Sequence, residues 1–402
     1  MATADPTPDP IAPSAHPGSG LLVVLSAMPQ IQLECVLGRL SVSFPTERLL
    51  IATPDALAAD SFPALRFVAA PAAIPSWTFT AADFANAYQL AQKNEAGAIL
   101  MLGPESSSLG STAFPDLANA VLTTPTDLAV PCYDLPPHTS LINSAILYPL
   151  TRALFASDVR FPLAVDLGLS MRMAERLSRA ALRIAATNQE EALLWPVNEA
   201  AIAGFNVDQF EVGARIQPQP AGTDLNTMLP LVAGSLFSDI DAKAAFWQRF
   251  RMSRPASSPT LKPVPLPHPL STEGAADIVS RVRTFQLAYT NLQEVWRLVL
   301  PPNSLLGLKR LSQTDAGAFR MPESLWARIV FDFLLAFRLR TISRGHLLGA
   351  LIPLYLAWVA SHMNITASGI GAEQHIEAVA AAFETDRTYL VSRWRWPDRF
   401  NP

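Results

Sequence analysis

Gly97–Gly110, GAILMLGPESSSLG, decides the fold. The apolar run Ala98–Leu102 ends abruptly in Gly103-Pro104-Glu105, followed by three serines. A short apolar run closed by Gly-Pro reads as a fully buried strand whose carboxyl end opens into a loop. In an open α/β sheet, ligands bind just beyond such strand ends. Glu105 is the one charged side chain there, so it is the first candidate for chemistry; its alternative reading is a solvated loop residue.

Outward from this stretch the pattern repeats. LLVVLS at 21–26 and RLLIA at 48–52 read as buried strands, and IQLECVLGRL at 31–40 and AADFANAYQLAQK at 81–93 as helices. Strands alternating with helices argue for a parallel sheet covered on both faces. Asp55 follows the second strand, where a nucleotide can be read and where a turn Asp is also common. Further on, 127–131 and 207–216 read as strands, 142–154, 171–186, 193–205 and 224–250 as helices, and 159–170 as loop, strand and turn. Residues 253–271 are dense in proline and read as a linker or strap. After them only helical periodicity remains, at 273–300, 323–342, 347–362 and 372–382. The tail RWRWPDRF interleaves Arg with Trp; it reads as a structural plug, with base or sugar stacking as the alternative.

The division expected is a Pro/Ala-rich tail (1–19), an α/β domain (20–252), the Pro-rich segment (253–271) and a helical domain (272–402). The tail has no basic region or apolar stretch, so it does not read as a signal peptide. The net charge of −4 leaves no basic field for nucleic acid or anionic lipid. The apolar stretch 329–363 is broken by Arg338, Arg340 and Arg344 and contains Pro353, so buried helices are expected and no transmembrane segment. Cys35 and Cys132 fit no metal or redox spacing and read as buried thiols of a reducing, cytoplasmic compartment. No P-loop, nucleophile elbow, zinc-protease motif or complete dinucleotide fingerprint is present.

Several segments, in order, carry a resemblance: DLAVPCYD (127–134), NSAILYPLTRALF (143–155), VRFPLAVDLGLS (159–170), AAIAGFNVDQFEVGARIQ (200–217) and DLNTMLPLVAGSLF (224–237). PESLWARIVFDF, LLGALIPLYLAW and AAFETDRTYLVSRW extend it through the helical part. Together they resemble the retaining GT-A glycosyltransferases related to mannosylglycerate synthase and glucosylglycerate synthase. The resemblance implies a Rossmann-like GT-A domain, a nucleotide-diphospho-sugar donor, a small acceptor and hexose transfer with retention. It also implies self-association through helical parts, hence a homo-oligomer, and a divalent cation, Mg or Mn, on the diphosphate.

The motif positions depart from the family. Its DxD falls on Gly103-Pro104-Glu105, leaving one carboxylate; its metal-binding His falls on Gln217; and an Asp facing the reacting centre falls on Asn198. Its Gly-Lys-Gly stretch is replaced by Phe79-Thr80-Ala81-Ala82. Positions that match are Asp55 for the nucleoside, Asp166 with Gly168 and Ser170 for the sugar or acceptor, and Tyr133 and Arg160. The resemblance therefore implies Asp166 and Asn198 as catalytic, Asp55, Glu105, Tyr133 and Arg215 around the nucleotide-sugar, and Glu105 with Gln217 toward a metal. Arg215 lies one position from a basic residue of the family and is a candidate for neutralising phosphate. The contrasting expectation is an inactive pseudo-glycosyltransferase kept for binding or scaffolding. A third is an unrelated helical interaction protein.

Overall fold

The computed structural model describes residues 20–54, 61–70, 76–186, 192–218, 224–249 and 272–396. Seven strands form one sheet: β1 (Gly20–Leu25), β2 (Leu49–Thr53), β3 (Arg66–Ala69), β4 (Ala96–Leu102), β5 (Leu128–Asp134), β6 (Asp166–Ser170) and β7 (Val207–Ala214), in the order β3-β2-β1-β4-β6-β5-β7. The sheet is mixed, where an all-parallel one was expected: β6 runs antiparallel to both β4 and β5. The segment between β5 and β6 crosses no sheet face as a strand-to-strand helix would. It instead enters a π-turn at Asn143–Leu147 and α4 (Tyr148–Phe155), which joins the helical layer, and β6 then starts at the carboxyl edge.

Alternating side chains divide the sheet's two faces. Leu21, Val23, Leu25, Ala98, Leu100 and Leu102 face α1 (Gln30–Ser43) and α3 (Ala113–Thr123), whereas Leu22, Ile99 and Met101 face α2 (Ala81–Lys93) and α5 (Met171–Ala185). Each fully buried Leu or Ile contributes roughly 1.5–3 kcal/mol. That is why β4 reads as a continuous apolar run: both of its faces are covered. Caps fix the helix starts. Thr80 and Asp83 form a capping box on α2, and the Ser170 hydroxyl accepts from Met173 N–H at the head of α5.

After β7 come α6's successors; α6 itself (Pro196–Ala203) precedes that strand, and α7 (Leu225–Ala242) with the short α8 (Ala244–Trp247) follows it. The long helix expected over 224–250 is thus two helices, turned at Lys243. The C-terminal part is helical throughout its described residues: α9 (Thr272–Asn291), α10 (Gln293–Arg297), α11 (Pro302–Ser312), α12 (Glu323–Leu339), α13 (Arg344–Ala367) and α14 (Ala372–Arg395). A mixed α/β sheet followed by a mainly helical region agrees with the α/β-then-helical architecture the sequence led us to expect. The helices share one apolar cluster with α4 and α7, including the fully buried Trp195, Trp247, Trp296, Trp326 and Trp358. α13 is long and apolar enough to cross a membrane, and most of that apolar stretch is buried against the other helices. In the tail, Trp394 is buried, packs edge-on against Trp247 at 4.9 Å and carries Arg338 on its face, whereas Trp396 is exposed. Cys35 is exposed on α1 and Cys132 half-buried on β5, so the expectation of two buried thiols is corrected for Cys35.

Candidate functional site

Strand order reverses between β1 and β4, so the crevice beyond Leu25 and Leu102 is the switch point at which α/β sheets take ligands. The antiparallel register brings Asp166, the first residue of β6, opposite Leu102, at the same edge. Parallel pairing of β5 with β7 carries Tyr133 and Ala214 there too. Four chain segments far apart in sequence thus end together.

Asp166 and Arg215 meet at the centre of this edge with both side chains wholly buried. Arg215 Nε donates to Asp166 Oδ2 at 2.7 Å and Nη2 reaches Oδ1 at 3.3 Å. The Tyr133 hydroxyl donates to Oδ2 at 2.9 Å, and the Gly103 N–H to Oδ1 at 3.2 Å. Burial pushes the Asp166 carboxyl up from its ordinary range, against the pull of Arg215 and these hydrogen bonds. Burial and the neighbouring Asp166 also push the Tyr133 phenol well up, which keeps it a donor. The rest of the guanidinium is engaged: Nη2 donates to the Pro104 carbonyl at 2.7 Å and Nη1 to the Ile216 carbonyl at 2.8 Å. Arg215 is therefore a brace inside the fold. It is not placed to meet a phosphate, and Asp166 is not placed to touch a sugar.

What this brace holds is the turn carrying Glu105. Glu105 adopts the left-handed region, φ 63°, a conformation that costs a non-glycine residue about 1–2 kcal/mol. The Pro104 carbonyl on Arg215, and the Ser108 hydroxyl donating to the Glu105 carbonyl, fix it. Gly103 is required here, since a Cβ would lie 2.5 Å from the Val165 carbonyl oxygen. The Glu105 side chain points to the head of α1, where Gln32 Nε2 donates to Oε2 at 2.8 Å. Arg39 on α1, stacked on Phe114, donates to the Ser107 and Gly110 carbonyls and ties the helix to the same turn.

Among the described residues, Ser26 Oγ just after β1, Gln32 Oε1, Ser106 Oγ and Gln217 Nε2 are buried without a hydrogen-bond partner. Buried polar groups are ordinarily paired, so these atoms are candidates to meet a polar ligand or water. α1 starts at Pro29 with no side-chain cap, leaving its first N–H groups directed toward the crevice. Sequence reasoning placed Glu105 and Gln217 here and missed Ser26 and Gln32. Their signal was position: both flank the loop after β1, at the switch point.

Asn198 is elsewhere in the hydrogen-bond network. On α6 and fully buried, it donates from Nδ2 to Asp239 Oδ2 at 2.8 Å, and its Oδ1 has no hydrogen-bond partner among the described residues. Lys243 joins Asp239 to Glu199, and Arg176 pairs with Glu199. Arg160 reaches the helical layer, pairing with Glu373 of α14. Asp55 lies outside the described residues, as do the Pro-rich segment and the N-terminal tail.

The family resemblance implies a divalent cation. Among the described residues no group of three His, Cys, Asp or Glu side chains is placed to hold one. Glu105 stands with neutral Gln32 and is the sole carboxylate of its turn. Mg and Mn are commonly held by one or two carboxylates together with substrate phosphates and water, so Glu105 is the described residue here that would hold such an ion against a bound diphosphate, and we route no step through it.

No family model and no curated protein matches the chain. Among solved structures it is similar to glucosyl-3-phosphoglycerate synthase from Mycobacterium tuberculosis in complex with Mn2+, UDP and glucosyl-3-phosphoglycerate. That match has 14% identity, covers 55% of this chain and 78% of that one, and has a TM-score of 0.37. The same enzyme with Mn2+ and UDP-glucose gives 15% identity, the same coverage and a TM-score of 0.37. A structure described as a mycobacterial protein gives 13% identity over 55% and 74% of the two chains, TM-score 0.38. Similarity this slight assigns no activity.

Proposed function

We propose that the chain is a glycosyltransferase-like protein that takes a nucleotide-sugar donor in the crevice between β1 and β4 and transfers its hexose, with retention, to a small acceptor. The observation that carries the reading is the convergence of Glu105, Gln32, Gln217, Ser26 and the uncapped head of α1 on the switch point. The donor's nucleoside lies along the end of β1. Its diphosphate faces the α1 N–H groups, whose partial positive charge favours an anion. Ser26, Ser106 and the two glutamines supply neutral hydrogen bonds, and the Asp166–Arg215–Tyr133 brace keeps the turn in one shape. Preorganised donors of this kind stabilise charge as it develops on a leaving diphosphate.

A second reading, a nucleotide-binding protein without transfer, rests on one observation. Asp166 and Asn198, the two side chains first assigned to catalysis, are both buried and engaged inside the fold. One experiment separates the two. The chain is incubated with a panel of nucleotide-sugars and small hydroxylated acceptors, with release of nucleoside diphosphate and formation of the α- or β-glycoside followed together. Transfer with retained anomeric configuration supports the first reading. Binding of a nucleotide-sugar with no release above background supports the second. An inverted product overturns the retention claim.

A further inference from the structure

Half of the chain's six histidines, His138, His362 and His375, meet where the loop after β5 packs on α13 and α14. His138 lies in the loop that leaves β5 just after Asp134, and both His138 (φ 68°) and Ser140 (φ 50°) of this loop are left-handed. His362 is on α13 and His375 on α14, each buried. His362 Nδ1 lies 2.7 Å from His375 Nδ1. Two imidazoles sharing an ion at about 2.0–2.1 Å each would hold their nitrogens farther apart than this, so the pair shares a proton. Trp358 stacks on both rings, at 5.2 and 6.0 Å, and the His138 ring stands edge-on to His362 at 5.7 Å.

One Nδ1 of the pair donates and the other accepts. Glu323 Oε1 lies 3.6 Å from His375 Nε2, beyond hydrogen-bond reach, and among the described residues the Nε2 atoms of both His362 and His375 are buried without a hydrogen-bond partner. The Thr366 hydroxyl donates to the His362 and Met363 carbonyls, so His138 Nε2 donates to Thr366 at 2.9 Å. The Nδ1–Nδ1 contact needs one unprotonated nitrogen, so His362 and His375 cannot both be imidazolium while it holds. Burial, more than any other cause, pushes each of them down from the ordinary histidine range, His362 to about 3. The charged groups that face them are Glu323 at the head of α12, Arg160 with its partner Glu373, and Asp277 of α9. Arg160 opposes a proton on His362, whereas Asp277 favours one on His138 and Glu323 one on His375.

We propose that His138, His362 and His375 form a pH-sensitive latch that fastens the loop after β5, residues 135–142, to helices α13 and α14. The latch is closed while the imidazoles are neutral and opens when they take up protons. Below the unperturbed histidine pKa of about 6.5, each imidazole that must stay neutral lowers the closed population relative to the open one by about tenfold per pH unit. This claim stands apart from the nucleotide-sugar reading, since the cluster touches none of the crevice residues.

The test is hydrogen–deuterium exchange on the full chain from pH 7.5 to 5, with rates corrected for the intrinsic pH dependence. We expect protection of residues 136–147 to fall by about tenfold or more between pH 6.5 and 5.5, while β1 and β4 keep theirs. His362→Gln, which cannot titrate, should make the dependence shallower. If that variant does not fold, His138→Asn, which tolerates the left-handed backbone, should do the same from the loop side. Unchanged protection of 136–147 across this range overturns the proposal, and so does a loss of protection shared equally by β1 and β4.

Discussion

Replacing Arg215 by methionine leaves the Asp166 carboxylate buried without its counter-charge. Four hydrogen bonds now reach that carboxylate, two of them from the guanidinium. Only the Tyr133 hydroxyl and the Gly103 N–H would remain. Removing one partner of a buried pair costs about 3–5 kcal/mol, because the surviving ion has lost its compensation. The pH dependence follows from burial. Without Arg215 the Asp166 carboxyl in the native state lies above its unfolded value, so the native variant holds a proton that the unfolded chain has released. The variant is then most stable at low pH and weakens as pH rises, so its deficit against wild type is larger at pH 8 than at pH 5. Urea unfolding at the two pH values, comparing midpoints at constant slope, reads this directly. The double variant Arg215→Met with Asp166→Leu removes both charges and should recover part of the loss. An Arg215→Met cost below about 1 kcal/mol at pH 8, or a double variant less stable than the single one, would refute the claim that this pair is a buried brace.

Three further outcomes follow. Glu105→Asn, which suits φ 63°, should change stability by less than about 1 kcal/mol while removing any added stabilisation by nucleotides that needs magnesium or manganese, measured by thermal shift. Gly103→Ala puts a methyl 2.5 Å from the Val165 carbonyl and should cost about 1–3 kcal/mol in urea unfolding, displacing the Glu105 turn as it does so. Asp332, buried beside Arg393 and Tyr389, has its carboxyl pushed up to about 7, chiefly by burial. Its folded value exceeds the unfolded one, so its contribution is complete below about pH 4 and is lost as pH rises through 7; Asp332→Asn should flatten stability over that interval.

Much of the sheet was legible because its central strands are covered on both faces. LLVVLS, RLLIA and GAILML admit few other readings, and the strand end before Glu105 followed from Gly-Pro alone. β3 was not legible: Arg66–Ala69 is a short edge strand with an exposed residue at each end and no alternation to read. α3 was missed as well, since Pro115 near its start disguises a helix whose first turn tolerates proline. The antiparallel β6 could not be read because DLGLS has the same buried character in either direction; only its register with β4 decides. At the site, the residue types were visible but their pairings were not. Asp166 and Arg215 are 49 positions apart, and each alone reads as a ligand-facing charge. Their mutual neutralisation is a tertiary fact, and it moves the candidate chemistry from Asp166 to Glu105, Gln32 and the orphaned polar atoms around them.

The central claim is that the crevice between β1 and β4 holds a nucleoside diphosphate. A thermal-shift titration of the full chain with nucleoside diphosphates and nucleotide-sugars, each with and without magnesium or manganese, tests it most directly. A ligand at about a hundred times its dissociation constant adds roughly 2.7 kcal/mol to stability. We predict such a stabilisation with at least one nucleotide, present without added metal, with any further increment from magnesium or manganese lost in Glu105→Asn. No shift with any nucleotide, in either the presence or the absence of metal, would contradict the account.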